Sequence, residues 1–176
     1  MATWEPMVER LVRERHRPLI AYAYLLTRDV SDAEDLVQDA LVSTFGGRAT
    51  FESIGHAEAY VRRAIASRFV DSRRKRERAR VDRVEIRTVD PGYEAEIIGR
   101  VDVASALAEL PPRVRACVVL RLLADQSTAE TAGALDLSQG AVKRYVSDGV
   151  RALNTMLGTV VTEEETAPVR PTGGVR

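Results

Sequence analysis

The chain is short of several things. It has one cysteine, 5% aromatic residues, no long apolar run and no net charge across its 176 residues. The single cysteine, Cys117, excludes an internal disulfide and a zinc site built on thiolates. It sits in the apolar run Ala116-Cys117-Val118-Val119-Leu120 and reads as a small core residue, not a nucleophile. Scarce aromatics, against abundant Ala, Leu, Val, Arg and Glu, favour helices over sheets. No apolar stretch approaches the roughly 20 residues that span a bilayer. The start, Met1-Ala2-Thr3-Trp4-Glu5-Pro6, has no basic segment followed by an apolar one, so the expectation is a cytoplasmic chain without membrane insertion. Lys and Arg total 26, as do Asp and Glu. As a sum, that balance argues against a nucleic-acid binder, which is usually basic, but a sum says nothing about how the charge is sorted.

What is present is helical periodicity. The length suits one ordinary domain or two small ones. A first helix is expected from about Glu5 to Thr27, with Pro18 kinking or splitting it. A second opens at Ser31, an N-cap with Glu34 three residues on, and ends at Gly46-Gly47. Its apolar stripe is Ala33, Leu36, Val37, Ala40, Leu41 and Thr44. A third starts near His56, carries Ala57, Tyr60, Val61, Ala64, Ile65 and Phe69 on one face, and dissolves into a basic run. Residues 81 to 99 lose the period and contain Asp90-Pro91-Gly92, a linker signal. Shorter helices follow: Val101 to Leu110 before Pro111-Pro112, Val114 to Ala124, Thr128 to Leu135, and one from Ser138 to about Leu157. Residues 161 to 176 have the composition of a disordered tail.

The charges are sorted by position. Asp29, Asp32, Glu34, Asp35 and Asp39 include no base among them. From Arg62 to Arg80 there are nine bases against Asp71 and Glu77, a net of +7. The linker reverses sign again. Such a basic helix can compete for a polyphosphate backbone, with affinity that falls steeply with salt; the alternative is a solvated helix end. The carboxylates of Asp32, Asp35 and Asp39, at spacings of three and four, share a polar face. That face is either solvated or a docking surface for a basic partner helix. A metal site is disfavoured, because His16 and His56 stand singly elsewhere.

Near the C-terminus, Thr128 to Val146 has the layout of a helix-turn-helix. Ala132 and Leu135 face inward, Asp136 supplies a residue tolerant of the left-handed turn, and Ser138 caps the second helix. Its inward stripe is Ala141, Val142, Tyr145, Val146, Gly149, Val150 and Leu153, leaving Gln139, Lys143, Arg144, Ser147 and Asp148 outside. A recognition helix needs one packed face and a polar N-terminal end to reach base edges. An ordinary helical hairpin is the competing reading.

In this order, these elements resemble a bacterial RNA polymerase sigma factor of the extracytoplasmic-function class, the minimal kind with regions two and four only. The resemblance is carried by Asp32-Ala33-Glu34-Asp35-Leu36-Val37-Gln38-Asp39-Ala40, by Tyr60-Val61 through Asp71 and Arg74, by Leu107-Ala108-Glu109-Leu110-Pro111-Pro112-Arg113, and by Ser138-Gln139-Gly140-Ala141-Val142-Lys143. It implies an all-α fold of two small helical domains joined by a flexible linker, the second a helix-turn-helix domain. Residues 1–80 would be region two, 81–99 the linker, 100–160 region four and 161–176 a disordered tail.

The resemblance also assigns roles. Asp32, Asp35, Leu36, Gln38 and Asp39 would dock on core RNA polymerase. The loop from about Gly47 to Ile54 and the third helix would read and melt the −10 element, with Tyr60, Arg62, Arg63, Arg68, Arg73 and Arg74 on the single strand. Ser138, Gln139, Gly140, Lys143 and Arg144 would read the duplex −35 element. The implied partners are core polymerase, promoter DNA and an anti-sigma protein; no cofactor, metal or catalysis is implied. The chain departs from the family pattern at Ser67, where Asn is usual, at Ala141, where Thr is common, and at Asp148, where a base is frequent. Tyr60 stands where many relatives have Trp, which keeps a stacking face. Resolved by position, the zero net charge becomes a prediction: the free protein binds DNA poorly until polymerase covers its acidic parts.

Overall fold

The computed structural model describes residues 4–79 and 101–158, all helices and short turns, with no strand among the described residues. The expected linker at 81–99 and tail at 161–176 lie outside the described residues. The N-terminal half is three long helices, α1 (Trp4–Thr27), α2 (Val30–Gly46) and α3 (Ile54–Ala79). The C-terminal half has shorter ones: α4 (Val101–Ala108), α5 (Pro112–Val118) running into a wider π turn at Val119–Leu123, α6 (Thr128–Leu135) and α7 (Gln139–Leu157).

Three expectations are corrected. Pro18 neither ends nor divides α1, which is continuous through it. Proline removes one donor and crowds the preceding turn, but Pro18 lies on the exposed side, where water can satisfy the freed carbonyl. Leu11 before it and Leu19, Ile20, Ala23 and Leu26 after it are buried and hold the helix on its neighbours. Second, the N-cap of α2 is Asp29, not Ser31: the Asp29 carboxylate accepts from the Asp32 backbone N–H at 2.8 Å. The turn before it fixes that choice. Arg28 is left-handed at φ 59, and the Thr27 hydroxyl donates to the Asp29 carbonyl at 2.9 Å. Third, Tyr60 is not on the core face of α3. It is 45% exposed, while Ala57, Val61, Ile65, Ala66, Phe69 and Val70 are buried.

Capping sets the other helix starts. Ser53 Oγ accepts from the His56 N–H, so α3 begins at Ile54, two residues before His56. Pro112 opens α5 at a position where its missing N–H costs nothing. Ser127 and Glu130 form a reciprocal capping box at α6, and Ser138 accepts from Ala141 N–H at 3.1 Å to start α7. Between them Asp136 is left-handed (φ 52, ψ 52), as the turn chemistry requires. At Gly149 α7 crosses α5 so closely that a Cβ would lie 2.5 Å from Val118 Cγ2 and 3.0 Å from Val114 Cγ1.

The halves pack against each other. α3 contacts α5 and α6, α1 contacts α4, and buried residues from Leu11 to Val150 form one continuous apolar cluster. Cys117 is buried in it, and burial pushes its thiol up to about 11, so it is inert at neutral pH.

Candidate nucleic-acid interface

The acidic face of α2 presents Asp35, Gln38 and Asp39 to solvent. Leu36 is half-buried against the core. Asp32 shares that side of the helix but is engaged: its carboxylate lies 3.2 Å from Arg76 Nη1, near the end of α3. The acidic and basic segments thus meet in this ion pair, while Asp35, Gln38 and Asp39 stay exposed.

Helix α3 carries the basic run as regular helix to Ala79, not as a frayed end. At about 100° per residue, Arg62, Arg63, Arg73 and Arg74 gather on one side, with Tyr60 just beyond Arg74. Arg68 falls at least about 120° away from all four arginines, so the helix does not bring it to the same surface. Arg62 Nη2 donates to Glu58 Oε1 at 2.6 Å, and its guanidinium lies 5.5 Å from the centroid of the Tyr22 ring. Burial pushes the Tyr22 hydroxyl well above its ordinary value, with Arg62 opposing, so it stays neutral. Arg73 stacks over Phe69 at 5.5 Å. Arg74 is exposed. Arg63 lies over the Tyr60 ring at 5.4 Å and donates to Gln126 Oε1 at 2.7 Å and Glu130 Oε1 at 2.9 Å, both from the other half.

The loop between α2 and α3 is organised by aromatics. Phe51 meets Phe45 edge-on at 5.5 Å, His56 at 5.5 Å and Tyr60 at 5.4 Å. Arg48, left-handed at φ 58, turns the chain out of α2. Phe45 was absent from the expected site, and Phe51 lay within the expected loop from about Gly47 to Ile54 without being singled out. Their sequence signal is two of the chain's three phenylalanines flanking the Gly46-Gly47 turn.

On α7 the expected set lies together. Gln139, Gly140, Lys143 and Arg144 are exposed at spacings of three and four, while Val142, Val146, Gly149 and Val150 are buried opposite. Ser138 fixes the helix start that aims them, and leaves the N-terminus open to a phosphate. Arg144 stacks over Tyr145 at 5.3 Å. Asp148 lies 3.6 Å from Arg151, which offsets its acid charge on this face. Tyr145 also lines a cavity of about 450 Å³ between the halves, together with Arg73, Arg74, Glu77 and Arg113 and the apolar Val70 and Val114.

One residue of structural weight was missed. Arg115 is buried and donates to Leu26 O of α1, to Ala108 O at 2.6 Å and to Leu110 O at 3.1 Å, tying two helix C-termini to α5. Its guanidinium lies 5.4 Å from the Phe69 ring of α3. Burial lowers its pKa to about 10, helped by Arg73 and opposed by Glu109, and it remains charged at neutral pH. The signal was available: an arginine inside the apolar run from Val114 to Leu120 has to find buried acceptors.

The described residues, all helix and turn, with an acidic helix, a basic helix and a capped helix-turn-helix, define an all-α protein of the helix-turn-helix class. Family models match on both sides of the linker: sigma-70 region 2 over residues 11–79 and sigma-70 region 4 over residues 100–153. The chain is 36% identical over 137 residues to the RNA polymerase sigma-E factor of Streptomyces coelicolor, covering 77% of each. It is 28% identical over 154 residues to the ECF RNA polymerase sigma factor SigM of Mycobacterium tuberculosis, covering 88% of this chain and 79% of that one. Among solved structures, the sigma factor RpoE of Bartonella quintana, in complex with the anti-sigma factor NepR, shares the fold. The TM-score is 0.57 at 21% identity, over 88% of this chain and 94% of that one. The chain belongs to the sigma-70 family of RNA polymerase sigma factors, extracytoplasmic-function class, with regions two and four. It is therefore a promoter-recognition factor of transcription initiation and a DNA-binding regulator. No described helix is long and apolar enough to cross a membrane.

Proposed function

We propose that the acidic face of α2 docks on core RNA polymerase, that α3 and the loop before it take the single-stranded −10 element, and that α7 reads the −35 duplex. The chain adds no catalysis of its own and works in the cytoplasm. The observation that carries this reading is the separation of surfaces. Asp35 and Asp39 are exposed on one helix, basic residues crowd the next, and the polar N-terminal end of a capped helix is open on the third.

Each surface has the chemistry its role needs. Carboxylates at i and i+4 meet basic side chains of a partner helix. Aromatic Phe51 and Tyr60 offer stacking faces beside arginines, which suits unpaired bases. Arg144 has the fork geometry for a guanine edge and Gln139 the amide for an adenine. An anti-sigma protein is a further expected partner, as in the complex of the structural neighbour.

Three measurements test the reading. Mixed with core polymerase and a promoter library, the chain should give start-site-specific transcripts; tight duplex binding by the chain alone without transcripts would instead indicate a stand-alone repressor or activator. Asp35→Arg should abolish core binding while leaving the helical signal intact, because it reverses charge at an exposed site. Arg144→Ala should weaken −35 discrimination by about 1–3 kcal/mol if it forks onto a base. An equal loss on all sequences would reduce it to a phosphate contact.

A further inference from the structure

The side of α3 proposed to take the single strand carries an acid among its bases. Of the three acids on this helix, Asp71 and Glu77 are exposed, whereas the Glu58 side chain is only 14% exposed. Its two oxygens are divided between two helices. Oε1 accepts from Arg62 Nη2 at 2.6 Å, and Oε2 lies 3.2 Å from Arg15 Nε on α1. The Arg62 guanidinium in turn lies 5.5 Å from the centroid of the Tyr22 ring, and Tyr22 is buried on the same helix as Arg15. Burial keeps the Tyr22 phenol neutral, so the ring offers a π face and no competing charge.

Arg62 is therefore held from two directions, by a charge-assisted hydrogen bond and by an aromatic face, with 24% of its side chain exposed. Its Nη1 makes no hydrogen bond among the described residues. A loose arginine gives up the rotations of its long side chain when it grips a phosphate, which lowers affinity by a factor of about two to ten. Arg62 has given them up on folding. The carboxylate that holds it also repels a phosphate, but a guanidinium sits on each of its oxygens and the triad carries one net positive charge. What field remains is screened by salt. Holding the arginine outweighs the repulsion.

We infer that Glu58 is a positioning residue for the −10 strand: clamped by Arg15 of α1, it holds Arg62 over Tyr22 with Nη1 left for a phosphate. This rests on the −10 role proposed for α3, and it brings α1 into the grip through Arg15 and Tyr22. Removing this negative charge should therefore weaken the binding of a polyanion, the reverse of what charge alone would give.

The test uses the full chain assembled with core RNA polymerase and a short random-sequence single-stranded DNA carrying a fluorophore, with core polymerase alone as the baseline. In Glu58→Ala, affinity should fall about threefold to tenfold. Its log–log dependence on salt should also flatten by about 0.7, the share of one phosphate contact on a single strand. Glu58→Gln keeps the shape of the side chain and one oxygen for Arg62, and should lose less. With Arg62 already replaced by Ala, Glu58→Ala should cause no further loss, because its effect runs through that side chain. Equal or higher affinity in both Glu58 variants would overturn the role, as the mark of a carboxylate that only repels. A loss with an unchanged salt slope, persisting in the Arg62→Ala background, would also overturn it, since Glu58 would then only join α1 to α3. Arg74→Ala, outside the cluster, separates the two levels. A loss there with none in Glu58→Ala sinks the positioning role alone, whereas binding by the unaltered assembly no better than the baseline sinks the −10 reading and the positioning role with it.

Discussion

The two halves of the molecule solve the same problem, holding exposed side chains in place, with different local physics. The N-terminal half uses three helices of 24, 17 and 26 residues, long enough that packing along their length fixes them, and it concentrates charge in runs. The C-terminal half uses helices of 8, 7 and 8 residues before the 19-residue α7. Helices that short are marginal alone, so caps and a buried cation supply what length does not: Pro112 at a helix start, the Ser127–Glu130 box, left-handed Asp136, Ser138, and Arg115 collecting three carbonyls. The difference teaches a division of labour. A run of charge tolerates small errors of placement and gives salt-sensitive affinity, whereas base reading requires a helix end fixed by its cap and packed face.

That contrast can be broken most severely at Arg115. Arg115→Ala leaves buried carbonyls of α1 and α4 without their donor and should cost about 2–4 kcal/mol in a denaturant titration. The C-terminal half should lose structure first, giving two transitions; a single transition at unchanged midpoint would mean that the buried cation holds nothing. Gly149→Ala comes next. With a Cβ 2.5 Å from Val118, α5 and α7 must move apart, a loss of about 1–3 kcal/mol that should also weaken −35 binding more than single-strand binding. Equal losses on both probes would show the halves to be one rigid unit.

The smallest effect is in pH. Hydrogen bonds from Ser127, the larger cause, and the nearby Arg63 hold the Glu130 carboxyl below its usual value. A depressed folded value means its contribution is complete above the ordinary carboxylate pKa of about 4.3 and is lost as pH falls through the folded value. The contact between α3 and α6 should therefore be independent of pH from neutral down to about 5 and loosen only in acid. A distance between labels on the two halves that lengthens already near pH 6 would assign the contact to other groups.

Much of this was legible in the chain itself. The period of three and four placed every described helix, because an amphipathic stripe marks the buried face whatever it packs against. Ser138 and Asp136 were readable for a similar reason: a cap and a left-handed turn are satisfied within a few residues. Ser31 misled because Asp29, two residues earlier, is also a good cap, and the hydroxyl of Thr27 in the preceding turn decided between them. Tyr60 misled because an aromatic at core spacing looks buried, and only the neighbouring Phe51 and Arg63 reveal it as part of an exposed cluster.

By itself, the sequence determined the helices, most of their ends, the sorting of charge and the family, since each depends on residues near one another or on a motif. The tertiary structure alone decided which charges are free. Arg63 and Arg74 look alike in the basic run, yet one is bound by Gln126 and Glu130 and the other is exposed. Asp32 and Asp35 share a face, yet one is paired to Arg76. Those partners lie 44 to 67 residues away. No local pattern encodes such a pairing, because an ion pair depends on where two helices come to rest, and that is set by the whole core.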